Sequence, residues 1–155
     1  MSKTVLYPGS FDPFTKGHES IVQKALLLFD KLVIGIGKNS EKKGYFTLES
    51  RINHLEHLYK DEKRVQILSY EGLTIDLCSK KNINFLLRGL RNNKDFDYEY
   101  PISMHNKLLN DNVETIFLCS DLNVSPFQSN IIREIHKSGG NIDVFVSQSS
   151  LLRID

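Results

Sequence analysis

The feature that most limits the fold of this chain is an alternation of short apolar runs with stretches of helical periodicity. Lys31 to Gly37 carries Leu32-Val33-Ile34-x-Ile36, a nearly continuous apolar run that suits a strand buried on both faces. Thr4 to Tyr7, ended by Pro8-Gly9, Val65 to Leu68, Phe85-Leu86-Leu87 and Val113 to Leu118 read as four further strands. Between them, apolar residues recur at helical spacing. Gly17 to Asp30 holds Ile21, Val22, Ala25, Leu28 and Phe29, and Thr47 can cap a helix carrying Leu48, Ile52, Leu55 and Leu58. Leu73 to Lys80, about Asp95 to Leu109, and Ser129 to Ser138 complete the pattern; the last stops at Gly139-Gly140, and a short helix is expected from Ser147. Such alternation predicts an α/β fold: a doubly wound, five-stranded parallel sheet.

Length and composition keep the expectation to one domain, residues 1–155, without repeats or linkers. The chain is 40% hydrophobic and 25% charged, as in soluble globular proteins, and no apolar run is long enough to span a membrane. The first residues lack a signal-peptide pattern, so a cytoplasmic protein without a membrane partner is expected. Twenty basic and nineteen acidic residues leave a net charge of +1, too small for wholesale nucleic-acid binding, yet a small anion needs only a few aimed cations. Cys78 and Cys119 have no CxxC partner and read as core thiols rather than zinc ligands. His54 and His57 read as ordinary surface residues.

In open parallel sheets, ligands bind beyond the carboxyl ends of the strands. That rule collects Gly9-Ser10, Lys38, Arg88 and Ser120 on one rim. The loop from Gly9 to His18 is the richest segment there. Thr15 is a plausible N-cap, which sets Gly17 and His18 in the first turn of a helix, where free N–H groups and the helix dipole favour an anion. His18 adds a donor; read locally, it is equally an incidental histidine in a strand-helix turn. No GxxxxGK[ST] phosphate loop exists, and Gly35-Ile36-Gly37 lies in or at the end of a strand rather than opening a GxGxxG turn. Asp95 and Asp97 suit a helix start better than a metal site.

Tyr7-Pro8-Gly9-Ser10-Phe11-Asp12-Pro13-Phe14-Thr15-Lys16-Gly17-His18 resembles the (H/T)xGH signature of the nucleotidyltransferase superfamily. Together with Phe46-Thr47-Leu48-Glu49, Leu87-Arg88-Gly89-Leu90-Arg91 and Asp95-Phe96-Asp97-Tyr98-Glu99, it more narrowly resembles bacterial phosphopantetheine adenylyltransferases, from about Val5 to Phe145. The resemblance implies a Rossmann-like nucleotidyltransferase fold. It also implies transfer of the adenylyl group of ATP to 4′-phosphopantetheine, with Mg2+ as cofactor and a homohexameric assembly. It implies that His18 stabilises the transition state and that Lys42 binds the acceptor phosphate and the reacting α-phosphate. Ser10 would contact both substrates, Thr74 and Arg88 the acceptor, and Phe11, His18, Gly89, Leu90, Arg91 and Glu99 the ATP. Without the resemblance, Lys42 reads as a solvated loop charge and Glu99 as a helix-surface residue. An acceptor such as nicotinate mononucleotide, a cytidylyl donor, or a non-catalytic nucleotide-binding module are the alternatives; RGLR with DFxYE speaks against the first two.

One segment departs from the family pattern. Where relatives carry Ile-Ser-Ser-(Ser/Thr), often after a tryptophan, this chain has Val124-Ser125-Pro126-Phe127-Gln128-Ser129-Asn130. The resemblance makes these seven residues the grip on the ATP phosphates. Gln128 and Asn130 replace hydroxyl side chains with bulkier amides, so weakened or altered ATP binding is expected, with Asn130 able to cap the following helix.

Overall fold

The computed structural model describes residues 2–38 and 43–155. Among them are the five expected strands, β1 (Thr4–Gly9), β2 (Lys31–Gly37), β3 (Val65–Tyr70), β4 (Phe85–Leu90) and β5 (Glu114–Cys119). They alternate with helices α1 (Lys16–Leu28), α2 (Leu48–Leu58), α3 (Thr74–Lys81), α4 (Asn93–Leu109) and α5 (Ser129–Lys137), and a 3-10 turn spans Ser149–Leu151. All strand pairs are parallel, in the order β3-β2-β1-β4-β5.

Alternate strand residues feed two cores. Val5, Tyr7, Leu32, Ile34, Ile36 and Leu87 meet Ile21, Val22 and Ala25 of α1 and Leu55 of α2 on one face. Leu6, Val33 and Leu86 meet Ile75 and Cys78 of α3 on the other. That period of two is what a strand covered on both sides requires. A third cluster, with Phe46, Ile132, Ile142, Val146 and Leu152, seats the C-terminal segment against α5.

The sheet reverses its winding between β1 and β4, and the two strands part there. The β1–β2, β2–β3 and β4–β5 pairs each align six residues, whereas β1–β4 aligns only Val5 with Phe85 and Leu6 with Leu86. Pro8 fits this parting. It lies inside β1 rather than ending it, and its carbonyl accepts from Arg88 on the β4 side. A strand residue points N–H and C=O to the same side, so the N–H that proline lacks falls where the ladder has already stopped.

Three expectations need correction. Cys119 is exposed, because it is the last residue of an edge strand. His54 is buried at 1% exposure and donates from Nε2 to the Ser147 carbonyl at 2.7 Å, because the C-terminal segment folds across α2, which periodicity within α2 could not reveal. Helix α4 starts at Asn93, two residues early, since the Asn92 side chain accepts from the Asp95 N–H and serves as the cap.

Ile34 is fully buried in the central strand β2, whereas Leu122 is 94% exposed. Urea denaturation is expected to show Ile34→Ala less stable by about 2–5 kcal/mol. Leu122→Ala should stay within about 0.5 kcal/mol of the parent.

Candidate active site

Beyond Leu6 and Leu86 the crevice between β1 and β4 opens into a cavity of about 320 Å³. Its walls include Ser10, Phe11, His18, Arg88, Gly89, Leu90, Arg91, Glu99, Phe127, Ser129 and Asn130. These residues come from the loop after β1, the start of α1, the end of β4, helix α4 and the start of α5.

His18 is held by the start of its own helix. The Thr15 N–H donates to His18 Nδ1 at 2.9 Å, while the Thr15 hydroxyl oxygen accepts from the His18 N–H at 3.4 Å. This is a capping box in which a histidine does the work usual for glutamate. Because Nδ1 accepts, the neutral ring carries its proton on Nε2. Burial, reinforced by the positive charges of Arg91 and Arg88, pushes the His18 pKa down to about 4. At neutral pH His18 is therefore an uncharged donor rather than a base or a cation.

Of the first-turn N–H groups of α1, Lys16 donates to Phe145 O and His18 to Thr15, which leaves the Gly17 N–H beside the imidazole without a partner among the described residues. At α5, Gln128 stands at the N-cap without a side-chain bond, so the opening N–H groups of that helix are available to an anion. Asn130 does not cap; it lies within the helix and lines the cavity. The Ser129 hydroxyl donates to Pro13 O at 2.9 Å, so its proton ties α5 to the β1 loop. Val124, Ser125, Pro126 and Gln128 stand outside the cavity wall, and the Ser125 hydroxyl donates to Arg91 O.

Both arginines are aimed by acids. Arg88 donates from Nε and Nη2 to the two oxygens of Glu99 and from Nη1 to Pro8 O. Glu99 is only 8% exposed, which corrects the surface reading of this residue. Arg91 makes the matching fork to Asp95, whose carboxylate also accepts the Arg91 N–H. Arg88 and Pro8 line both the main cavity and a neighbouring one of about 180 Å³, whose walls include Thr74, Leu73, Ile102, Asn106 and Leu109. Thr74 thus stands one chamber away from His18, with its hydroxyl bonded to Tyr70 at 2.8 Å. Lys42 falls outside the described residues.

A cytidylyltransferase-like family model matches residues 6–135. A phosphopantetheine adenylyltransferase of Flavobacterium psychrophilum is 44% identical over 147 residues, covering 95% of this chain and 97% of that protein. One from Vesicomyosocius okutanii is also 44% identical, over 96% of this chain and 94% of its own. The chain belongs to the phosphopantetheine adenylyltransferase family. Its fold is that of nucleotidyltransferases: a bifunctional NMN adenylyltransferase/ADP ribose pyrophosphatase from Francisella tularensis superposes with a TM-score of 0.71 at 18% identity, covering 97% of this chain and 49% of that one.

The residues by which the sequence resembles phosphopantetheine adenylyltransferases are thus largely those that converge at the switch point. Sequence reading missed how they are held. Asp95 looked like a helix-start acid and is the partner that aims Arg91. Ser120 was only a rim residue; its hydroxyl is buried in the cavity wall without a partner among the described residues. No local pattern marks Ser120, whereas Asp95 stands only four residues after the arginine it aims.

The His18 ring also sets a pH dependence. The folded protein takes up this proton only near pH 4, while the unfolded chain takes it up near 6.5. As pH falls from 6.5 towards 4 the unfolded state binds more protons, so stability declines in that window. Thermal melts of His18→Gln are expected to show a shallower decline over the same range. ATP titration calorimetry on Gln128→Ser/Asn130→Thr should show about tenfold tighter binding than the parent, the scale of one gained hydrogen bond to a charged group. Equal affinities would remove the amides from the phosphate grip.

Proposed function

We propose that this chain transfers the adenylyl group of ATP to 4′-phosphopantetheine, giving dephospho-coenzyme A and pyrophosphate. The single observation that carries this reading is an uncharged, fixed His18 donor beside the open Gly17 N–H and facing two acid-aimed arginines across one cavity. Family membership supplies the substrates, and the two adjoining chambers support a long acceptor next to a nucleotide.

In this reading an oxygen of the acceptor phosphate attacks the α-phosphorus of ATP. A new P–O bond forms as the bond to the bridging oxygen breaks, and pyrophosphate leaves with that oxygen. The nucleophile is already an anion, so no base is required, which suits a histidine that stays neutral. His18 Nε2–H donates to an α-phosphate oxygen as negative charge crowds there. The N–H groups of α5 and the Arg91 guanidinium take the β and γ phosphates, with Gly89 and Leu90 at the nucleotide wall. Arg88, at the boundary between the chambers, takes the acceptor phosphate with the N–H groups that Glu99 and Pro8 leave free. Lys42 is proposed as a second cation for the same phosphates, Ser10 as a contact to both substrates, and Thr74 as a contact to the pantetheine arm. Catalysis of this kind is mostly positioning and charge stabilisation.

The two carboxylates on the cavity wall, Asp95 and Glu99, are engaged by Arg91 and Arg88. A magnesium ion therefore fits best as part of the nucleotide, with phosphate and water ligands. When bound it shields the charge of the leaving pyrophosphate. The proposal includes a cytoplasmic homohexamer. Tyr98, Tyr100, Ile102, Met104, Leu108 and Leu109 are exposed along α4, an apolar supply that suits self-association, and no helix among the described residues is long and apolar enough to cross a membrane.

A pyrophosphate-release assay with ATP or CTP, offered 4′-phosphopantetheine or nicotinate mononucleotide, tests the reading. ATP with 4′-phosphopantetheine is expected to react; no release with that pair would sink it. With the same assay His18→Ala should lose about 10²–10³ in kcat with ATP affinity retained, the usual effect of deleting one transition-state donor.

A further inference from the structure

We infer that Asp12 and Arg51, outside the cavity, are positioning residues that fix Phe11 and, through its ring, the orientation of His18. The inference rests on the catalytic role proposed for His18.

Phe11 has φ of 46°, in the left-handed region that phenylalanine rarely adopts. Such a residue persists only where its surroundings over-determine it, and such residues cluster at functional sites. Here both flanks are anchored. On one side, Arg51 Nη1 donates to the Ser10 carbonyl at 2.6 Å. On the other, the Asp12 carboxylate accepts the N–H groups of Tyr45 and Phe46 at 2.7 and 2.9 Å, while Arg133 donates to the Asp12 carbonyl at 2.8 Å.

Asp12 and Arg51 also see one another, with Arg51 Nε 4.0 Å from Asp12 Oδ1 and donating to Phe46 O at 3.1 Å. At 8% and 7% exposure, the two charges are compensated by each other and by these backbone groups. Gly44 belongs to the same arrangement, since a Cβ there would lie 2.7 Å from Arg51 Nη2.

The consequence reaches His18 through packing. The Phe11 ring packs edge-on to the His18 ring with centroids 5.2 Å apart, and to Tyr7 and Phe14 with centroids 5.1 Å apart in each case. Its own seat exists because residue 9 is glycine: a Cβ on Gly9 would stand 2.8 Å from the Phe11 ring. Phe11 is therefore a wedge between β1 and the imidazole. Releasing either anchor lets the strained backbone relax and withdraws that wedge.

Two conservative variants test this. Arg51→Lys keeps the charge and the stem but loses the fork. Asp12→Asn can accept one of the two N–H groups but turns its own NH2 towards the other. In folded variants, checked by melting, kcat for pyrophosphate release should fall about 100-fold, as for displacements of about 1 Å at a reacting centre. ATP affinity should fall by much less than kcat, since Ser10 and Phe11, which these anchors hold, are expected nucleotide contacts. Nitrogen NMR of the His18 ring should show the fixed Nε2–H tautomer of the parent giving way to exchange between tautomers, as a ring no longer pressed by Phe11 leaves the Thr15 N–H. If Asp12→Asn does not fold, Arg51→Lys decides. Folded variants that keep the single tautomer and the parental kcat overturn the inference. A parent that releases no pyrophosphate overturns the proposed function instead, and the tautomer measurement still decides the positioning role.

Discussion

The rest of this structure depends on the early parting of β1 and β4. A sheet that winds outward in both directions from a central pair has one place where the connections leave on opposite sides. Here that pair holds together for only two aligned positions, and everything of chemical interest occupies the gap beyond them. Pro8 lies just beyond the shared ladder, where its missing N–H leaves no donor orphaned. Arg88, from the other side, uses the vacated Pro8 carbonyl as an anchor.

The gap would be a hostile place for a neutral histidine and two arginines if each were left to solvent and chance. Each is instead assigned a partner by a different element. His18 is fixed by the cap of its own helix, Arg88 by Glu99, and Arg91 by Asp95. The charges of the two arginines are offset locally, yet their planar forks retain free N–H groups facing the cavity. This combination binds an anion directionally without building an excess of positive field, in keeping with a net charge of only +1.

Much of the fold was legible in the sequence because the relevant signals are local. Leu32 to Ile36 could be little but a buried strand, and Thr15 and Thr47 announce their helix starts through side chains that bond within a turn. The site was legible in its members but not in its wiring. Ser10, His18, Arg88 and Arg91 stand at strand ends or helix starts, where the fold rule directs attention. Two of the partners that hold them, Glu99 on α4 and Arg51 on α2, are revealed only by packing between elements, whereas Asp95 stands four residues from Arg91. His54 was misread for the same reason: its partner, Ser147, lies 93 positions away.

The C-terminal segment gives the site a temporal order. The Lys16 N–H at the mouth of α1 is satisfied by Phe145 O, His54 is covered by Ser147, and the Thr47 N–H donates to Arg153 O. Helix α1 thus receives a backbone partner from a segment that follows all five strands of the sheet. Strands and helices can form as the chain emerges from the ribosome, but the Lys16 N–H at the start of α1 gains its partner only after translation has passed Phe145. A growing chain therefore carries His18 well before it carries the carbonyl that completes the start of its helix.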